Sequence, residues 1–143
     1  MSIHQISVFL ENRAGQLAEL TKMLADNQVD IRAISIAETT DYGLARMIVD
    51  DCQKASNVLL ECGAVLSMTP VWAVEVPDQP AGLAALLAVL AENEVSVEYM
   101  YSLFTHKEGM AYMVLRIHDE AKFVAAMEKN GMKIMSADQL GLK

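Results

Sequence analysis

The chain has 143 residues, 53% of them hydrophobic, and a formal net charge of −8, enough to bury one compact core or two small ones without the compositional bias of a disordered segment. Its eleven Lys and Arg are scattered, which argues against nucleic acid as a partner, because neutralising phosphate takes clustered cations. No apolar run approaches the roughly 18 residues of a membrane span, and the start MSIHQISVFLEN lacks the basic residues and cleavage site of a signal peptide, so a cytoplasmic protein without membrane contact is expected.

Residues 3–10 are rich in β-branched and aromatic side chains and predict a strand ending at Glu11-Asn12. From Gly15 to Asn27 the apolar positions Leu17, Leu20 and Leu24 recur at helical spacing, with Gln16, Glu19, Lys22 and Asp26 on the other side. Residues 29–39 read as a second strand whose apolar phase shifts from Val29, Ile31 and Ala33 to Ile34 and Ile36, as a bulge or two-sided burial would cause. Turn chemistry at Asp41-Tyr42-Gly43 joins it to a strand over 44–49, and residues 54–62 form a helix stopped by Gly63.

The same plan then recurs. GQLAELTKMLADNQVDI from Gly15 aligns without gaps to AGLAALLAVLAENEVSV from Ala81, an offset of 66. VDDCQKASNVLLECG from Val49 aligns to IHDEAKFVAAMEKNG from Ile117 at an offset of 68, so the second hairpin is two residues longer. The second copy predicts a helix over 82–93, a hairpin of 95–104 with 110–117, a helix over 120–130 and a strand near 132–135. Pro70 is expected to separate the last strand of the first copy from the first strand of the second, giving domains at 1–70 and 71–143. The helix GLAALLAVLAENE has Ala or Val where its counterpart has charge, which predicts cover by a second partner, the other repeat being the obvious one. The fold class is α+β, two ferredoxin-like βαββαβ units with antiparallel sheets packed together. Units this small are marginal alone, and uncovered helix faces or sheet edges make a homodimer the expected assembly.

The two strand-to-helix turns, LENRAGQL and VPDQPAGL, are the candidate working parts. A helix start leaves backbone N–H groups without partners and attracts a carboxylate, with roughly 2 kcal/mol available for a partly buried anion. Gly15 would admit a ligand close to the backbone, and Asn12 or Asp78 would accept from an ammonium, so the turn suits an α-amino acid. The structural alternative is that Asn12 and Asp78 are helix caps or turn-formers and that Gly15 serves the turn alone.

At Asn12-Arg13-Ala14-Gly15-Gln16-Leu17, after ISVFLE and before AELTKMLADNQVDIRAISI, the chain resembles an ACT domain, the amino-acid-sensing βαββαβ module. Asp78-Gln79-Pro80-Ala81-Gly82-Leu83 resembles the same family, and the plan is similar to that of stand-alone tandem ACT proteins. The first repeat also resembles acetolactate synthase regulatory subunits, through their ENxxGxL turn. The resemblance implies ligand binding between ACT units and assigns it to Asn12, Arg13, Ala14, Gly15, Gln16 and Leu17 and to Asp78, Gln79, Pro80, Ala81, Gly82 and Leu83. Ala81 stands where the first copy has Gly15, so the two turns are expected to be unequal.

The remaining residues offer less chemistry. Cys52 and Cys62 match no metal or redox spacing, and His4, His106 and His118 lie far apart. Ten methionines suit irregular core gaps, or alternatively a soft inter-domain surface. Asp50-Asp51 reads as a helix cap, and Tyr99 and Tyr101 as an aromatic lining between the repeats rather than an RNA platform. No GxSxG, P-loop or HExxH pattern occurs. The expectation is a non-catalytic regulatory protein without metal or cofactor that binds a free amino acid at the interface between its ACT units and acts in trans. The alternative is a regulatory subunit of an amino-acid biosynthetic enzyme such as acetolactate synthase.

Overall fold

The computed structural model describes residues 1–38 and 41–143. It divides into two compact units, His4–Thr69 with Gly141–Lys143, and Pro70–Leu140 with Met1–Ile3.

In the first unit β1 (Ile3–Glu11) is followed by α1 (Gln16–Asp26), β2 (Ile31–Glu38), β3 (Tyr42–Val49), α2 (Cys52–Glu61) and the start of β4 (Leu66–Pro77). The antiparallel order is β2-β3-β1, and the Phe9 N–H donates to the Val65 carbonyl at 3.0 Å as the chain turns into β4. Alternation on β1 sends Ile6, Val8 and Leu10 to the helices, where they pack with Leu20 and Leu24 of α1 and Ala55 and Leu59 of α2. The apolar phase shift in β2 is a bulge: Ile31 faces Val49 but Ala33 faces Ile48, so Arg32 is the extra residue. The predicted strand continued to Thr39, which lies outside the described residues. Tyr42 and Gly43, expected in the turn, already belong to β3.

In the second unit β4 leads to α3 (Gly82–Glu92), β5 (Val97–Ser102), β6 (Met110–Ile117), α4 (Glu120–Lys129) and β7 (Ile134–Met135), with strand order β5-β6-β4-β7. Trp72, Val74, Leu86, Leu90, Leu115, Phe123 and Met127 form its core. The Trp72 indole N–H, which needs a partner when buried, donates to Glu120 Oε2 at 2.8 Å while the ring leans on Phe123 at 5.3 Å. The bulge recurs, since Val97 faces Ile117 and Tyr99 faces Arg116, leaving Glu98 extra. The helix caps recur too, with Asp51 accepting from the Lys54 N–H and Asp119 from the Lys122 N–H, each at 3.1 Å. Both units are ferredoxin-like βαββαβ folds with antiparallel sheets, in the α+β class.

One expectation changes. Pro70 does not interrupt the chain into two strands, because β4 runs through it from Leu66 to Pro77. The φ that proline fixes is compatible with extended chain, and Pro70 precedes the first β4–β6 pair, Trp72 with Leu115. Its carbonyl instead accepts from the Arg116 guanidinium at 3.0 Å. On α3, Ala84, Ala85, Ala88 and Ala91 are exposed within the single chain. Alanine favours helix and presents little apolar area, so this face needs no partner for the helix to form.

Candidate functional site

The two β1–α1-type turns have one hydrogen-bonding scheme. In the first, the Arg13 N–H donates to the Glu11 carbonyl at 2.9 Å, Gln16 to Arg13 at 3.5 Å and Glu19 to Gly15 at 2.9 Å. In the second, Gln79 donates to Pro77 at 3.0 Å, Gly82 to Gln79 at 3.0 Å and Ala85 to Ala81 at 2.9 Å. The residue before each helix is left-handed, Gly15 at φ 85° and Ala81 at φ 74°. The displaced glycine has a separate cause. A Cβ on Gly82 would lie 2.0 Å from the Pro77 carbonyl oxygen, whereas one on Gly15 would meet nothing within 4 Å. Gly15 thus answers a backbone angle and Gly82 a close approach.

Neither N-cap residue, Gly15 or Ala81, has a side chain that caps its helix. At the first turn the side chains instead knit the loop. Gln16 Oε1 accepts from the Glu11 N–H at 3.0 Å. The Arg13 guanidinium reaches Glu19 through two bonds of 3.2 and 2.9 Å and Glu11 through one of 3.3 Å. The hydrogen bonds and charge of Glu19 raise the Arg13 pKa, and Arg13 in turn holds the Glu19 carboxyl below the usual carboxylate range.

Beside this turn the first unit holds a cavity of about 540 Å³. Its buried lining is Val8, Leu10, Leu20 and Leu59, joined by the partly buried Met23 and Ala64. Its exposed lining comes from the turn and α1 (Glu11, Arg13, Glu19), from Phe9, Asp41 and Tyr42, and from the α2–β4 loop at Cys62, Gly63 and Val65; Gln16 is half-buried at the edge. A second depression of about 110 Å³ touches Asn12, Arg13, Gln16 and Leu17 together with Ile36 and Gly43. Of the six residues expected in the first turn, Arg13 and Gln16 therefore line both hollows, Asn12 and Leu17 only the smaller one, and Ala14 and Gly15 neither.

In the second turn Asp78, Gln79, Pro80 and Ala81 are exposed and Gly82 is buried, while Leu83 packs against the core of its unit. The Asp78 N–H donates to the Gly109 carbonyl at 2.9 Å, tying this turn to the β5–β6 hairpin loop. Among the described residues no three His, Cys, Asp or Glu gather as a metal-ligand set.

Sequence reasoning passed over Phe9, Glu19, Tyr42 and the residues 62–65. Phe9 carried a usable signal, a large aromatic at the outward position of an alternating strand, and its ring lies 5.4 Å from that of Tyr42. Residues 62–65 carried none, because only tertiary packing brings the end of α2 beside β1.

The model of the family described as the ACT domain pair matches residues 1–140. The chain belongs to the ACT domain pair family. Among solved structures, protein BT0572 from Bacteroides thetaiotaomicron is 33% identical over 99% of this chain and 96% of its own, with a TM-score of 0.91. The fold is also that of the ligand-free regulatory subunit of aspartate kinase from Thermus thermophilus, 16% identical over 87% of this chain and 90% of that one, TM-score 0.64. The corresponding subunit from Thermus flavus is 17% identical over 88% and 90%, TM-score 0.59. No curated protein matches the chain. Within this ACT pair no helix among the described residues is long and apolar enough to cross a membrane.

Proposed function

We propose that this ACT pair is a non-catalytic regulatory protein that binds a free amino acid and acts in trans on another protein. The observation that carries the reading is the 540 Å³ cavity beside the start of α1, lined on one side by Arg13 and Gln16 and floored by aliphatic side chains. A small zwitterion with an apolar stem suits such a mixed lining. The uncapped helix start lies next to it and favours a carboxylate. Asn12 and Leu17 stay in the proposal as residues of the adjoining depression, and Ala14 and Gly15 as the backbone that shapes the turn. The second turn, residues 78–83, is proposed as the weaker binder.

Affinity is no obstacle, because roughly ten heavy atoms at about −0.8 kcal/mol each reach micromolar binding. Regulation follows if the ligand binds one conformation or assembly better than another. Two neighbours that share the fold are, by name, regulatory subunits of aspartate kinase, and a separate catalytic chain is the proposed target, with a homodimer as the proposed working form. The test is a thermal-shift screen of the twenty amino acids on the full chain, with Asn12→Ala and Asp78→Ala beside it. At least one amino acid is expected to raise the melting temperature, and Asn12→Ala to reduce the effect more than Asp78→Ala. If none raises it and both variants behave as the parent, the sensor reading fails.

A further inference from the structure

We infer that the cavity of the first unit selects amino acids with a cationic side chain over neutral or acidic ones. The inference rests on the sensor reading above and concerns the charge of its site. Four ionisable carboxylate or guanidinium groups line the cavity, Glu11, Arg13, Glu19 and Asp41. The one cation among them is committed: Arg13 is bonded twice to Glu19 and once to Glu11. Two carboxylates share that single guanidinium, and Asp41 forms no ion pair among the described residues. With three carboxylates against one guanidinium, the lining carries a formal net charge of −2.

The apolar part of the cavity fits the same ligand. An unbranched aliphatic stem lies well along Val8, Leu10, Leu20 and Met23, while an ammonium or guanidinium at its end remains near the exposed carboxylates. Long cationic side chains bury their stems and keep their heads wet in this way. An acidic side chain would have to approach the same carboxylates with Arg13 already occupied, and like charges so placed repel. A neutral aliphatic ligand keeps the stem contacts and gains nothing at the rim.

The rim groups are exposed, so the discrimination is that of charges in a nearly aqueous medium. A carboxylate about 6 Å from the ligand cation there changes affinity roughly threefold, and two net charges roughly tenfold. The preference is also screened by salt, since the Debye length is about 10 Å at 0.1 M and about 3 Å at 1 M.

Titration calorimetry of the full chain with L-lysine, L-norleucine and L-glutamate tests this, because norleucine has the stem of lysine without its ammonium. In low salt lysine is expected to bind about tenfold more tightly than norleucine, with glutamate weakest, and the ratio is expected to fall towards one in about 1 M salt. Asp41→Asn is expected to cut the lysine-to-norleucine ratio roughly threefold. Norleucine or glutamate binding as tightly as lysine overturns the charge inference while the sensor reading stands, and so does a ratio unmoved by Asp41→Asn. If none of these ligands binds, nor any of the twenty amino acids, the sensor reading itself has failed and the inference falls with it.

Discussion

Exchanging alanine and glycine at positions 81 and 82 of the second turn separates two demands that the sequence runs together. Ala81 holds φ 74°, a left-handed angle that costs an L-residue about 1 to 2 kcal/mol. Glycine removes that cost but loses more freedom on folding, by about 0.4 to 1 kcal/mol. Ala81→Gly should therefore stabilise the chain by about 0.5 to 1 kcal/mol. Gly82→Ala acts in the opposite direction, because its Cβ would sit 2.0 Å from the Pro77 carbonyl oxygen, a backbone atom that cannot swing aside. Forcing that overlap should cost about 3 kcal/mol. Urea unfolding followed by fluorescence reads both changes in the right place, since Trp72 is the sole tryptophan and lies in the second unit's core. A gain of the expected size for Ala81→Gly raises the melting temperature by about 2 to 4 °C. Gly82→Ala at parental stability, or Ala81→Gly below it, would refute the account of this turn.

Three further outcomes are expected. The Glu19 carboxyl is held low chiefly by its hydrogen bonds from Arg13 and then by the guanidinium charge, so its contribution to stability is present above its unfolded pKa and lost as the pH falls through the lower folded value. Arg13→Gln should return its titration, followed by carboxyl carbon NMR, to the ordinary glutamate range; an unmoved titration would contradict the pairing. Burial, and secondarily Asp51, push the Cys52 thiol up while Cys62 is exposed beside the cavity, so limited alkylation near pH 8 should modify Cys62 first, and a bound amino acid should slow it. Mass spectrometry that finds Cys52 modified first would count against this placement. Asp51→Ala and Asp119→Ala should each cost about 1 kcal/mol in chemical unfolding through loss of a helix cap, and a neutral result at either would deny that cap its role.

The sequence carried the repeat plainly because periodicity is local. Leu20 and Leu24 announce α1, Asp51 announces α2, and the broken phase at Ile34 left a bulge or two-sided burial open, which the structure resolves as a bulge at Arg32. Pro70 misled because the φ that proline fixes suits extended chain, so its cost to a strand is its missing N–H, and whether a strand needs that N–H depends on pairing, which is not local. Half of the cavity was legible for a similar reason. Arg13 and Gln16 stand out within one turn, but the opposite wall at 62–65 joins them only when α2 packs against β1. The pairing of Arg13 with Glu19, six residues apart, likewise depends on the turn bringing α1 back over the end of β1.

Chemical-shift mapping on the full, isotope-labelled chain tests most directly the claim that the first unit's cavity is where an amino acid binds. Titrated with the amino acid that most raises the melting temperature, the amides of Arg13, Gln16, Gly63 and Val65 should shift most, with smaller changes at 78–83. Shifts confined to 78–83, or saturable binding that leaves residues 62–65 unmoved, would contradict the account.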